Sequence, residues 1–281
     1  MSAQGLRIKS RPGPLPRKWA IVLQVGLLIA WILIWEFVPK IPGLAKVSTF
    51  FDPFFISSPT RTWGALTSLL SGTSLVGSIW PFMRETLQSA LIGTAIGMLV
   101  GTTLGLLLSN SEKLNQVFRP FILAMNSIPR IAMIPIIVVL LGATSATAIG
   151  SAAITAFFTV FFNAYAGGRQ IPPQVIENAS VLGATATQLM RNVRLPFVMA
   201  WAFASLPNAL SHGLLSTVTA EILTGYAGMG RLLVLAVGQA NSHLTISVVI
   251  MLSLVGLALV LLSDLLRKRW LHWWVGGRSA A

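Results

Sequence analysis

The sequence predicts an all-α integral membrane protein, with six transmembrane helices and both termini cytoplasmic. Three observations carry that prediction. Of 281 residues, 54% are hydrophobic and only 10% charged, which is too little charged surface for a soluble domain. Six apolar stretches, at roughly 19–38, 86–108, 119–141, 146–166, 197–222 and 244–264, reach the ~20 residues that a helix needs to cross the hydrocarbon. With the N-terminus inside, fourteen lysines and arginines fall in cytoplasmic pieces and five in outer ones. That bias fixes the direction of insertion. The net charge of +13 is thus a consequence of topology, and no basic and aromatic interleaving points to nucleic acid.

A basic arm, residues 1–18, precedes a continuous membrane domain over 19–270, and a cytoplasmic tail follows over 271–281. The first apolar run is longer than a signal-peptide core, and no A-x-A site follows it, so it reads as a retained span. The outer loop 39–85 holds Trp63, Leu66, Leu69 and Leu70 at helical spacing, which predicts a helix lying on the outer surface. In span two, Gly93, Gly97, Gly101 and Gly105 recur every four residues. That places them on one helical face, where a neighbouring backbone can approach closely. Span three carries Arg130 after Pro129, with Asn126 four residues earlier and Pro135 five later. An arginine about 16 Å along a spanning helix needs a partner or a function. Carbonyls freed by the prolines are one partner; an anionic solute is the other.

The passage 173–195 lies on the cytoplasmic side between spans four and five. Pro172 and Pro173 suit a first helical turn, and Val175, Ile176, Ala179 and Leu182 fall on one stripe of a short helix. Gly183 ends it, Thr185 or Thr187 caps a second helix, and Leu189 and Val193 share a face of that helix while Gln188, Arg191 and Arg194 point elsewhere. Pro196 is expected to break the pattern before span five. Such an elbow suits docking in a groove of a soluble partner; a surface-lying linker has the same periodicity. Span five then sets Ser205, Asn208, His212, Ser216 and Thr219 at steps of three and four, a polar stripe that should avoid lipid. His212 is either satisfied by a neighbouring helix or available to an anion. Glu221 lies at the outer end of this span, with Arg231 and Arg84 as candidate ion partners.

Several motifs then make the chain recognisable. Glu177, Ala179 and Gly183 stand as E-x-A-x-x-x-G, and eleven residues later come Leu195 and Pro196. This resembles the "EAA" loop of the membrane-spanning subunits of type I ATP-binding cassette (ABC) importers, with Asn178 where alanine is usual. "ISSPTRTWGAL", "SIPRIAMIPIIVVLLG" and "AEILTGYAGMGRLL" follow in the order of the nitrate, sulfonate and taurine branch, so the resemblance covers residues of about 57–270. It implies that Glu177, Ala179, Gly183, Leu189, Arg191, Leu195 and Pro196 form a coupling element seated in a cytoplasmic ATPase. It also implies that spans three and five line the pathway, through Asn126, Arg130, Ser205, Asn208, His212, Ser216 and Thr219. On this reading Glu221 meets an extracytoplasmic binding protein or forms an outer gate. The glycine face of span two becomes either helix packing or a seam between two copies.

The implied assembly is a homodimer of this chain in the bacterial inner membrane, with two ABC ATPase subunits and a substrate-binding protein. ATP and Mg would sit on the partner ATPase, because the chain has no G-x-x-x-x-G-K-S/T loop. It has no cysteine, and His212, His243 and His272 have no metal-ligand spacing. The implied solute is a small anion such as a sulfonate, taurine, nitrate or an organic carboxylate. A stand-alone secondary transporter or channel for a small anion is the alternative. It calls for inverted repeats and more ionisable residues at midplane than Arg130 and His212. A membrane enzyme calls for a constellation of carboxylates or nucleophiles that the sequence lacks.

Overall fold

The computed structural model describes residues 16–41, 56–74 and 76–270, and no strand occurs among them. Most of the basic arm, part of the outer loop and the tail at 271–281 therefore lie outside the described residues. The chain divides into two units, Met1–Gly64 and Ala65–Ala281.

In the first unit, α1 (Arg17–Phe37) is apolar all round and exposes side chains on every face, among them Leu27 at 71% and Trp19 at 63%. A helix with no polar face has lipid as its natural solvent. At its end Glu36 pairs with Lys40 one turn on. Its carboxylate also accepts from the backbone N–H of Thr60 (3.1 Å) and the Thr60 hydroxyl (3.0 Å). Thr60 lies in the first turn of α2 (Pro59–Ser71), the helix end that favours negative charge.

The second unit is built on one pair of helices, α3 (Trp80–Asn110) and α6 (Ser145–Arg169). Gly93, Gly97, Gly101 and Gly105 are all buried on α3. A Cβ at Gly93 would lie 2.4 Å from the Ile149 carbonyl oxygen, and one at Gly97 would lie 2.4 Å from that of Ala153. Further along, Gly101 meets Phe157 and Gly105 meets Ala164. The partners advance with the glycines, so the two helices run in the same direction. On α6 the facing residues are small in the same four-residue step: Ala148, Ala152, Ala156, Val160 and Ala164 are at most 2% exposed. The glycine face of α3 is therefore covered by the chain's own α6.

Between these helices the third apolar stretch does not form one rod. α4 (Glu112–Asn126) and the arm Arg130–Leu141, in which a 3₁₀ turn (Arg130–Met133) runs into α5 (Ile134–Leu141), are bent by 89° across residues 127–129. Pro129 enforces the break, since it lacks an N–H and pushes the residue before it out of helical conformation. The fifth stretch is bent as well, by 50° between Ala204 and Leu206. It comprises α9 (Leu195–Ala204) and α10 (Leu206–Thr224), with Pro207 in the first turn after the bend. Among the described residues four helices, α1, α3, α6 and α12 (Ser242–Trp270), are long and apolar enough to cross a membrane, and up to six spans result if each bent pair is one.

Helix α10 packs on both α3 and α6, and α11 (Met229–Gly238) folds back from it. The turn between them starts at Gly225, whose φ of +66° is left-handed and so suits glycine. It aims the first amides of α11 at Thr86 and Glu221. The Glu221 side chain is 0% exposed. It accepts from the Gly230 N–H (2.9 Å) and from the Thr86 hydroxyl of α3 (2.9 Å), while the Thr86 oxygen accepts from the Met229 N–H (2.8 Å). Glu221 is thus satisfied by Thr86 and a helix N-terminus, not by Arg231 or Arg84, both of which are exposed. Burial at a helix start replaces the expected ion pair, because amides and a hydroxyl supply donors without a second desolvated charge.

An apolar cluster closes this end of the unit. Leu69, Ile79, Met229, Leu232, Ala236, Leu244 and Val248 form it. The expected surface helix at 59–71 is α2, yet Leu66 and Leu69 are buried at 7% and 0%, and Trp63 is 67% exposed.

Gly97→Val drives a branched side chain into the α6 backbone and should lower stability in detergent by about 1–3 kcal/mol. Gly238→Ala, with open space around it, should leave thermal unfolding unchanged or slightly raised. Thr86→Val removes a donor from Glu221 and an acceptor from Met229 together. Loss of about 1–3 kcal/mol is expected, read by thermal unfolding of the purified protein.

Candidate functional site

Among the described residues, two concave regions hold residues singled out in the sequence, one at the bend of the third stretch and one at an exposed elbow. The first is an open cavity of about 250 Å³ lined by Ile128, Arg130, Ile131, Thr155, His212, Leu215 and Ser216. Arg130 starts the 3₁₀ turn at the break of the third stretch. It therefore sits at a bend and not midway along a helix. Its Nη1 donates to the Thr159 hydroxyl of α6 (3.1 Å), and its guanidinium lies 6.0 Å from the centre of the Phe158 ring. The protein partners are thus a hydroxyl and an aromatic face of α6 in place of proline-freed carbonyls, the first of the two partners open to Arg130 from the sequence. A cation over an aromatic ring gains electrostatic attraction while keeping donors available to a ligand.

Opposite, Ser216 is fully buried and shares a hydrogen bond with Thr155 (2.7 Å). His212 is exposed on α10 one turn before it. Of the seven residues expected along the pathway, Arg130, His212 and Ser216 line this cavity together. Asn126, the exposed last residue of α4, does not line it. Ser205 is buried at the bend, where its hydroxyl donates to the Ala202 carbonyl (2.7 Å). Asn208 is exposed, and the Thr219 hydroxyl donates to the Leu215 carbonyl (2.8 Å). The bend at Ser205 rotates the start of the stripe away from its later members.

Three participants were missed in the sequence reading: Thr155, Phe158 and Thr159. The signal was present, because Ser151, Thr155, Thr159 and Asn163 repeat every four residues on α6. Each of the last three side chains donates to the carbonyl one turn back: Thr155 to Ser151 (2.9 Å), Thr159 to Thr155 (3.0 Å) and Asn163 to Thr159 (2.8 Å). The Thr159 oxygen thereby remains an acceptor for Arg130. A guanidinium, an imidazole and paired hydroxyls amid Ile128, Ile131 and Leu215 can hold a polar acceptor group and shelter an apolar body. The cavity lining contains no carboxylate for acid–base work.

The elbow joins α7 (Pro173–Val181) to α8 (Ala186–Leu189). Gly183 has φ +79°. The Ala184 N–H reaches the Ala179 carbonyl (3.0 Å) and the Gly183 N–H the Ser180 carbonyl (3.0 Å), the paired bonds of a Schellman turn. Thr185 caps α8 in a reciprocal box with Gln188: the Gln188 N–H donates to the Thr185 hydroxyl (3.3 Å) and the Thr185 N–H to the Gln188 side chain (2.8 Å). Two rigid caps back to back fix the elbow's angle. A cleft of about 360 Å³ opens between its arms, with Ala179, Gly183 and Leu189 in its lining alongside Leu182 and Val193. Val181 and Leu182 are each 86% exposed at the tip, and Glu177 and Arg191 are exposed beside it.

Pro196 does not interrupt the chain here. A π turn, Met190–Arg194, carries α8 directly into α9, and the Leu195 N–H bonds five residues back to Met190. The wider turn accommodates a proline ring that an α turn would reject. Leu195 and Pro196 thus open α9, in a helix that continues without a break from Ala186 to Ala204.

The family described as binding-protein-dependent transport system inner membrane component matches residues 93–272. The chain is 29% identical to the riboflavin transport system permease protein RibX of Chloroflexus aurantiacus, over 95% of this chain and 96% of that one. It is 26% identical to the aliphatic sulfonates transport permease protein SsuC of Escherichia coli, over 92% and 94%. Identity to the nitrate import permease protein NrtB of Leptolyngbya laminosa is 28%, over 71% of each. Among solved structures, an amino acid ABC transporter crystallised with histidines shares the fold with a TM-score of 0.56, at 19% identity over 75% of this chain and 96% of that one. Since the family match alone takes in well over half of the residues, and two of these relatives align over more than nine-tenths of the chain, the chain belongs to the binding-protein-dependent transport system inner membrane component family, as a membrane-spanning permease subunit of an ABC transporter.

Proposed function

We propose that two copies of this chain form the pathway of an ATP-driven importer, each spanning the membrane six times with both termini inside. In this reading two ATPase subunits bind ATP and Mg and dock on the elbows, and an extracytoplasmic binding protein delivers solute to the outer face. The observation that carries it is the elbow itself. A doubly capped turn that exposes Val181 and Leu182 at 86% each has no use for those side chains in water; apolar burial against a partner gives them one. Glu177 and Arg191 then border the docked surface. ATP binding draws the partners together, and the permease follows if its two packings lie within a few kcal/mol of each other.

The solute reading rests on the cavity at the bend. Arg130 with His212 favours an anion or a strongly polar acceptor, with sulfonate, taurine, nitrate or carboxylate as candidates. The riboflavin relative extends the candidates to larger ring systems. Glu221 serves the outer gate indirectly in this reading, by holding the start of α11 on α3.

Gly183→Pro imposes φ near −65° where the elbow has +79°, and Glu177→Lys reverses the charge at its edge. Each should reduce co-purification of the ATPase at least about tenfold, or ~1.4 kcal/mol, with the helices still folded by circular dichroism. Unimpaired association in both would remove the docking role. Arg130→Gln should lower uptake of anionic solutes, measured with an alkanesulfonate and nitrate in cells carrying the complete transporter, by about tenfold. Assembly should be unaffected. Unchanged uptake of every anion tested would take Arg130 out of the pathway.

A further inference from the structure

At the cytoplasmic ends of the helices a set of polar side chains converges that none of these roles uses. Arg194, the last residue of the π turn, donates from Nη1 to the carbonyl of Asn110 (2.9 Å), the last residue of α3. Glu112, the first residue of α4, accepts from Nη1 of Arg169 (2.6 Å), the last residue of α6, and from the Asn115 amide (3.3 Å). Asn115 in turn accepts from the Tyr165 hydroxyl of α6. Arg194, Glu112 and Arg169 line a single pocket of about 300 Å³, which Ile176 of α7 also lines. Each charge sits where a helix end favours it: Glu112 in a first turn, Arg169 in a last turn, and Arg194 on a terminal carbonyl.

These contacts matter because the elbow has few others. No side chain of α7 or α8 is buried, so displacement at its tip reaches the membrane helices along the α8–α9 rod and through this cluster. We propose that Arg194, with the Glu112–Arg169 pair beside it, is a positioning clasp that transmits movement of the elbow to the start of the bent third span. The proposal rests on the permease reading above. Arg169 and Glu112 keep 39% and 57% of their side-chain surface exposed, so the pair contributes little to stability. Its loss should appear in coupling and leave folding intact.

The chain has no cysteine, so Leu140→Cys, on α5 at 75% exposure, takes a single environment-sensitive fluorophore. The readout is the ATP-driven change in its emission, in proteoliposomes holding the permease with its co-purifying ATPase. Arg194→Ala should keep the ATPase bound and turning over while reducing the emission change about two- to tenfold. Arg194→Lys, still able to donate to the Asn110 carbonyl, should restore it. Glu112→Arg and Arg169→Glu should each reduce it similarly, and the double exchange should recover it. A full emission change in Arg194→Ala, or no recovery on exchange, overturns the clasp. Should Arg194→Ala fail to assemble, the exchange pair, which preserves net charge, decides alone. A labelled Leu140→Cys complex with no further substitution that hydrolyses ATP with no emission change overturns the transport reading, and the clasp with it.

Discussion

The close approach of α3 and α6 is the constraint on which the remaining geometry depends. In lipid there is no hydrophobic gain from joining two apolar helices, so dispersion between closely packed backbones must supply the attraction. The glycines of α3 and the small residues of α6 permit that approach over four turns. Once the pair is set, α10 has one groove to enter. Gly213 there would place a Cβ 2.4 Å from the Thr94 hydroxyl oxygen of α3, while Ser216 meets Thr155 of α6. The cavity at Arg130 follows, because one of its walls is α6 and another is α10.

Around this pair, irregular backbone coincides with the polar side chains of the cavity and the elbow. The 3₁₀ turn carries Arg130, the bend at Ser205 precedes His212, and the π turn ends in Arg194. Each break frees carbonyls or amides that hydrocarbon cannot satisfy. Side chains take up part of that demand at these places: the Ser205 hydroxyl donates to the Ala202 carbonyl at the bend, and Arg194 donates to the free end of α3. Glu221 answers the same need at the start of α11. Polar residues in this chain therefore do double duty, since a site that mends a helix break is also a site where a break can open or close.

The long apolar helices were legible because hydropathy and length are local properties. Ser145–Arg169 differs from the expected 146–166 by a turn at most, and the glycine step of α3 could be read as a close-packing face without knowing its partner. The bends were harder. Pro129 and Pro135 were visible, yet whether a proline kinks a span or splits it by 89° depends on what receives the freed ends. Pro196 shows the converse, since a π turn absorbed the break that the residue alone implied. The donors of Glu221 were hidden for a tertiary reason: they are Thr86, 135 residues away, and the Gly230 amide of a helix whose reversal no hydropathy window reveals. Thr155 and Thr159 needed no tertiary knowledge. Their four-residue step is the pattern that marks the glycine face of span two, and it is equally visible in span four.

Continuity of the helix from Ala186 to Ala204 bears on how force would reach the cavity. Nineteen residues at 1.5 Å each make a rod of about 28 Å, rigid except at its π turn. A rod pushed at one end pivots about its firmest contact, and each end moves in proportion to its distance from that contact. A large swing of the elbow is thus geared down to a small shift at the far end. The firm contact lies in the buried cluster of Val198 and Ala202 with Ala156, Val160 and Ala164, and the far end is the bend at Ser205. On the proposed reading, motion of the elbow would therefore arrive at the joint between α9 and α10, two turns from His212, while α3 and α6 stay locked by their small residues. The cavity would then open or close by α10 and the third-span turn shifting against a fixed α6, which makes Thr155 and Thr159 the stationary side of the site and Arg130 and His212 the moving one.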